Sequence, residues 1–454
     1  MRSGSKISLS LLKKLAPVQI LALGFATVIF TGALLLMLPI SSAAGIATPF
    51  LTALFTSTSA VCVTGLVVVD TGTYWSTFGQ FVIMILIETG GLGFMSFATL
   101  IAILLGRKIT LRERLVIQEA MNSFSLQGLV RLAKYALMAT FAIEATGAAL
   151  LAIRFIPDYG FVKGLWFGIF HAVSAYCNAG FDIVGNFQNL IPYQESVIVN
   201  VTVMALIVIG GIGFVVQSEI YNSRNFKRFT LHTKVVLVTT AILIFGGALL
   251  FFILEYNNPG TMKPLSMKGK ILSSFFASVT PRTAGFNTVD TTNMTLASKI
   301  ITIIFMYIGA SPGSTGGGIK TSTFAVLVMT VISVIKGRDD TEIAGKRIPK
   351  DLVYRALSIV AISIALLIVD VLVLSLTEKG AGLVEMVYEA TSAFGTVGLS
   401  LGFSPKLTSI GRIIIILTMY TGRVGPLTLA FAFAQKNLKS GAIVKYPEER
   451  VLIG

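Results

Sequence analysis

Apolar positions along this chain fall into long unbroken runs, not the one-sided stripes of helices that coat a soluble core. The plainest cover 18–40, 78–105, 196–216, 235–254 and 359–376. Each is close to the ~20 residues that a helix needs to cross a hydrocarbon layer about 30 Å thick. The first has no small-residue cleavage site and is followed by many others, so it reads as a retained span. Between the long runs lie apolar stretches of about a dozen residues, such as 49–60 and 164–176. These are too short to span and suit half-helices that enter the membrane and turn back.

The chain repeats itself at these short stretches, and a repeat must be identified before any single motif is weighed. One segment runs Ser59-Ala-Val-Cys-Val-Thr-Gly65-Leu and a second Ser174-Ala-Tyr-Cys-Asn-Ala-Gly180-Phe. A third runs Ser278-Val-Thr-Pro-Arg-Thr-Ala-Gly285-Phe and a fourth Ser392-Ala-Phe-Gly-Thr-Val-Gly398-Leu. Serine precedes glycine by six residues in three copies and by seven in the third, where Pro281 reads as an insertion. Irregular backbone at membrane depth survives only where protein buries it or it lines a watery cavity. Four such loops therefore point to one aqueous path on a pseudo-fourfold axis. Glycine lets the backbone turn its carbonyls inward, where they replace the hydration shell of a cation. Helix packing turns would also be glycine-rich, but four matched copies argue against that alternative.

Composition agrees. Of 454 residues, 54% are hydrophobic and 13% charged, against about a quarter charged in soluble domains. The net charge of +15 would suggest a nucleic-acid partner if it were spread over a soluble surface, and it is not. Lys and Arg gather before the first span (Arg2, Lys6, Lys13, Lys14) and around 107–134, 224–234, 336–355 and 436–450. Basic loops mark the cytoplasmic side, so consecutive clusters enclose pairs of crossings. The expectation is an all-α integral membrane protein with eight transmembrane helices, in four M1–pore helix–M2 repeats around a pseudo-fourfold pore. The repeats are expected at 17–106, 128–222, 230–336 and 351–437. A segment at 1–16 and a tail at 438–454 would be cytoplasmic. Membrane lipid is a partner and nucleic acid is not.

The four units, each with one filter glycine, resemble the Trk/Ktr/HKT superfamily of potassium transporters. Ser311-Pro-Gly-Ser-Thr-Gly-Gly-Gly-Ile-Lys320 and Thr421-Gly-Arg-Val-Gly-Pro-Leu-Thr428 are most similar to the bacterial Ktr membrane subunits. The resemblance implies potassium uptake without enzymatic chemistry or cofactor, with K+ carried and Na+ as an activator. It implies a homodimer docked on a cytosolic nucleotide-binding regulatory ring. It also implies a filter built from Val63-Thr64-Gly65, Asn178-Ala179-Gly180, Thr283-Ala284-Gly285 and Thr396-Val397-Gly398. Asp70, Asp182 and Asp290 follow the filter glycines closely and are expected at the outer mouth, where carboxylates concentrate cations. Ordinary solvated loop carboxylates are the competing reading.

The second long helix of each repeat is interrupted by glycine, at Gly90-Gly91, Gly210-Gly211, Gly309–Gly318 and Gly422–Gly425. In the first two copies paired small residues suit helix packing. The third, with Gly309, Ser311, Pro312, Gly313, Gly316, Gly317 and Gly318 before Lys320, is too rich in glycine to stay helical. The resemblance makes it an intramembrane gate. It departs from a phosphate-binding loop because Ile319 separates Gly318 from Lys320-Thr321 and no strand precedes it. Ionisable residues within spans are functional candidates by default. Glu88 and Arg423 lie near matched breaks and are candidates to pair, with Lys320 an alternative partner for Glu88. Glu144 and Asp370 are expected to hydrogen-bond within the bundle. Arg423 takes the place of Gly91 and Gly211, as a positive barrier on the pore axis or as a clamp. Cys62 and Cys177 hold equivalent positions, too far apart across a pore for a disulfide. The readings kept beside uptake are the channel-like subunit of an ATP-driven potassium pump and a non-conducting scaffold.

Overall fold

The computed structural model describes residues 16–93 and 129–434, with isolated positions at 115, 116, 118 and 449. The basic clusters at 2–14, 107–114 and 436–450, the end segments and the second half of the run at 78–105 lie outside the described residues.

Each repeat begins with a long apolar helix: α1 (Pro17–Leu36), then, after a pore helix α2 (Phe50–Val61) and α3 (Thr77–Gly91), the second repeat's α4 (Leu129–Tyr159). The second repeat continues with pore helix α5 (Phe161–Tyr176), α6 (Val197–Gly211) and α7 (Phe214–Ser223). The third contains α8 (Leu231–Glu255), pore helix α9 (Met267–Val279), α10 (Leu296–Ile308) and α11 (Thr321–Ile335). A short hairpin, β1 (Glu342–Ile343) with β2 (Lys346–Arg347), leads to the fourth: α12 (Lys350–Thr377), pore helix α13 (Leu383–Gly395), α14 (Ser409–Val424) and α15 (Pro426–Ala434).

Among the described residues only α1, α4, α8 and α12 are unbroken, apolar and long enough to span. They are the first helices of the four repeats. The second helices of the last three repeats are interrupted at glycine, with α6 and α7 meeting at 99°, and α3 ends at its glycines, with 94–114 outside the described residues. The interruption follows from backbone geometry: Gly93, Gly213, Gly309 and Gly425 all have φ between +64° and +96°, a region that side chains with a Cβ resist. The packing expected of Gly90 and Gly210 is present as well. A Cβ on Gly90, Gly210 or Gly422 would overlap the carbonyl oxygen of Val61, Tyr176 or Phe394, at the end of the pore helix of the same repeat.

Hydroxyl caps start several of these helices. Ser76 Oγ accepts from Gly79 N, Thr295 Oγ1 from Ser298 N and Thr408 Oγ1 from Gly411 N, each satisfying a donor that the first turn leaves free. The packing is reversed relative to a soluble protein. Large apolar side chains such as Phe30, Ile242, Phe245 and Leu372 stand exposed on the first helices, facing lipid. The polar pore-helix residues Ser57, Ser59, Ser174, Ser278 and Ser392 are fully buried.

Candidate ion pathway

At the end of each pore helix the chain turns through a loop of unusual backbone. Val63, Asn178, Thr283 and Thr396 have φ between +50° and +70°, and Gly65, Gly180, Gly285 and Gly398 between +70° and +91°. Each loop thus carries a left-handed residue at the glycine and another two residues before it. Valine and threonine enter this region only under constraint, and such strain collects at functional sites. Alternating left- and right-handed residues turn successive carbonyls to the same side of the chain.

The loops close into a ring. A Cβ on Gly65 would lie within 3.0 Å of the Ala179 carbonyl oxygen, and one on Gly180 would meet that of Ala284. Gly285 stands in the same relation to Val397, and Gly398 to Thr64. The order runs through the repeats and back to the first, so the expected filter residues do converge on one axis.

Buried hydroxyls hold this ring. Ser59 Oγ accepts from Gly65 N at 3.0 Å and Ser392 Oγ from Gly398 N at 3.1 Å. Ser174 Oγ donates to the Phe181 carbonyl at 2.7 Å. In the third repeat the corresponding hydroxyl is on Thr280, which donates to the Phe286 carbonyl. Ser278 instead donates to the carbonyls of Leu243 and Ile244 on α8, as Ser57 does to Ile29 on α1. Thr280 therefore matches Ser59 and Ser278 matches Ser57. The third loop is one residue short, and reading Pro281 as an insertion is corrected.

Directly beyond the ring lies the glycine-rich segment between α10 and α11. Gly317 N donates to Thr396 Oγ1 at 3.0 Å, and Thr315 Oγ1 donates to the Tyr176 carbonyl at 3.2 Å. A Cβ on Gly316 would strike Thr283 Oγ1. The segment also bridges to the break in the second repeat, with Ser311 N donating to Gly211 O and Phe214 N to Gly313 O. Lys320 Nζ donates to Gly316 O at 2.7 Å and Gly317 O at 3.4 Å, so the lysine ties its own loop. Beyond it opens a cavity of about 610 Å³ on the side where α1 begins. Among the described residues its lining includes Lys320, Arg355 and Arg423 and no carboxylate.

Arg423 sits between the loop and the first repeat. It donates to the carbonyls of Thr315, Gly90 and Gly91, and its guanidinium lies 5.9 Å from the Phe25 ring centre. Among the described residues it pairs with no carboxylate. The expected partnership of Glu88 with Arg423 or Lys320 is corrected: Glu88 turns the other way, and its Oε2 lies 3.4 Å from Cys177 Sγ. Asp370 accepts from Thr418 Oγ1 at 2.8 Å inside the bundle.

The chain matches the family described as "TrkH: Cation transport protein" over residues 14–446. It belongs to that family. It is 44% identical to the potassium/sodium uptake protein NtpJ of Enterococcus hirae, over 97% of this chain and 98% of that protein. It is 43% identical to the Ktr system potassium uptake protein B of Bacillus subtilis, covering 97% of each. The solved potassium transporter TrkH of Vibrio parahaemolyticus has the same fold, with a TM-score of 0.73 at 18% identity, over 93% of this chain and 85% of that one. The chain is thus a TrkH-family cation transporter, not an enzyme, of the four-repeat membrane fold.

At the far side of the ring from the cavity, the three expected mouth carboxylates are tied into their loops. Asp70 accepts from Thr73 N and Phe187 N, both at 2.9 Å. Asp182 accepts from Val184 N at 3.1 Å and Asn189 Nδ2 at 3.0 Å, and Asp290 from Thr292 N at 2.9 Å. Burial, followed by the neighbouring Asp70 charge, pushes the Asp182 carboxyl up to about 7. Cys62 and Cys177 are free, buried thiols. Sequence reasoning missed the grouping of Cys177 with Glu88 and Glu144, whose members come from three separate elements.

Proposed function

We propose that this transporter carries potassium inward through a pore whose selectivity filter is the ring of Val63–Gly65, Asn178–Gly180, Thr283–Gly285 and Thr396–Gly398. The observation that supports it most is the fourfold match of left-handed backbone around four glycines, which presents carbonyl oxygens to a dehydrated cation. The uptake functions named for NtpJ and for the Ktr protein B favour this reading over a pump subunit or a scaffold.

In this reading the loop from Gly309 to Lys320 is the gate, Arg423 is a positive barrier or latch below the filter, and Asp70, Asp182 and Asp290 serve the outer mouth. Both termini face the cytoplasm, as the basic clusters require under the positive-inside rule. A homodimer on a cytosolic nucleotide-binding ring, with sodium as activator, follows from likeness to Ktr systems. Potassium then enters down the membrane potential, worth about 2.3 kcal/mol per charge per 100 mV.

The test is rubidium uptake by purified protein in liposomes, with sodium as competitor, for the wild-type chain and a variant lacking 311–318. The wild type should take up rubidium in preference to sodium, and the shortened loop should raise flux. A folded wild-type protein that carries neither ion refutes conduction, and unchanged flux in a folded deletion refutes the gate.

A further inference from the structure

Behind the filter, three side chains with no part in the proposed ion path meet inside the protein. Cys177 follows the last residue of α5, Glu88 lies in the last turn of α3, and Glu144 lies midway along α4. They are 0%, 6% and 5% exposed. Cys177 Sγ is 3.4 Å from Glu88 Oε2 and 3.8 Å from Glu144 Oε1. One ligand atom from each of the three fits within 4.8 Å of the others. Among the described residues no cationic side chain forms an ion pair with either carboxylate. The second oxygen of Glu88, Oε1, is buried and has no donor among the described residues, and the Glu144 carboxyl lies within hydrogen-bond reach of the Glu88 carboxyl, so the two can share a proton.

Bare carboxylates are not left buried without compensation, so this group holds protons or a cation. The distances and the donor types favour a particular cation. In a tetrahedral zinc site with Zn–S of ~2.3 Å and Zn–O of ~2.0 Å, sulfur and oxygen ligands stand ~3.5 Å apart. The two observed separations fall on either side of that value. A thiolate with two carboxylates is a borderline-soft set that suits zinc or cadmium. Calcium takes six or more oxygen ligands, and magnesium demands a near-ideal oxygen octahedron. Three protein ligands leave a fourth position for water.

We infer that Glu88, Glu144 and Cys177 form a binding site for one thiophilic divalent cation of the zinc class. Binding requires the thiol and any protonated carboxyl to lose their protons, so it releases protons. The site lies against the part of the proposed pathway that Arg423 contacts. Glu88 is two residues before Gly90, whose carbonyl accepts from Arg423. A Cβ on Gly91 would lie 2.7 Å from Cys177 Sγ, and Gly91 also lines the large cavity, which gives an approach for the ion. A bound cation would tie α3, α4 and the end of α5 together where Arg423 latches.

The test is a cadmium titration of the metal-free, full-length chain in detergent, read by the ultraviolet charge-transfer absorption of cadmium thiolate. This readout is independent of transport. Wild type and Cys62→Ser, which removes the only other thiol, should each bind one cadmium with a saturable band and measurable proton release. Cys177→Ser should abolish the band. Glu144→Gln, which keeps the thiol, should weaken affinity by at least the ~10-fold that even the outer partners of a metal site carry. No band in the wild type overturns the inference, as does a band that is lost with Cys62→Ser. Unchanged affinity in Glu144→Gln reduces the site to a lone thiol and overturns it equally. Should Cys177→Ser not yield monodisperse protein, the comparison of wild type, Cys62→Ser and Glu144→Gln decides.

Discussion

Replacing Arg423 by glutamine tests the centre of the proposed pathway. The guanidinium donates to three carbonyls, one on the glycine-rich loop and two at the end of α3. Hydrogen bonds from charged groups contribute about 1.5–3 kcal/mol each. Glutamine is shorter and uncharged, and water replaces part of what is lost, so a net ~2–3 kcal/mol is expected to disappear from the loop-closed state. That corresponds to a ~30–150-fold shift of the loop towards its open arrangement. A fixed charge has a second effect: at ~6 Å and an effective dielectric of 20 it opposes a passing cation by about 2.8 kcal/mol. Both effects predict greater rubidium flux into liposomes for Arg423→Gln, by ten-fold or more. Lysine separates them. It keeps the charge but not the planar fork that reaches several carbonyls at once. A pure barrier leaves Arg423→Lys at wild-type flux; a latch places it between wild type and glutamine. A well-folded Arg423→Gln with wild-type flux refutes both roles.

The remaining predictions concern the ring and its mouth. Gly285→Ala forces a Cβ into left-handed backbone and towards the Val397 carbonyl; at ~1–2 kcal/mol of strain it should cut discrimination of rubidium over sodium about ten-fold in competition flux. Thr280→Val removes the hydroxyl that donates to the Phe286 carbonyl and should lower thermal stability by about 1–3 kcal/mol with looser selectivity, whereas Ser278→Ala should leave selectivity unchanged. Asp182, pushed up to about 7 by burial and then by Asp70, gains its charge as pH rises through 7, so uptake at subsaturating rubidium should rise over that interval and the rise should vanish in Asp182→Asn. The same raised value means that the folded state binds the extra proton. The contribution of Asp182 to stability is therefore full below the ordinary carboxylate range and lost as pH rises towards 7.

The parts of this protein that backbone chemistry dictates were legible in its sequence. Only glycine enters the left-handed position of each loop cheaply, so Gly65, Gly180, Gly285 and Gly398 announce the four loops, and the apolar runs at 18–40, 235–254 and 359–376 announce three of the four unbroken first helices; those at 78–105 and 196–216 begin on second helices, and α4 falls outside the plainest runs. What depends on helix phase was not legible. Ser278 and Thr280 both carry hydroxyls near the third loop, and which one closes it follows from how α9 is turned against α8. Glu88 is two residues from Gly90, but each residue turns a helix by about 100°, so its carboxylate points away from the face that receives Arg423. A reading by charge pairs overlooks the acceptors that Arg423 uses. Two of the three, on Gly90 and Gly91, are end-of-helix carbonyls that have no partner within α3, free because the helix stops at its glycines; the third, on Thr315, belongs to the glycine-rich loop. The break thus has two loaded sides, a cation on the carbonyl side and a thiol with two carboxylates on the other. The second side joins residues 33 and 89 positions apart in the chain, a separation across which one sequence shows no relation. Charge at either side bears on the same few residues of α3, so an ion held by the cluster would act on the proposed latch through Gly90 and Gly91, and on the second loop of the ring through Asn178, the residue that follows Cys177.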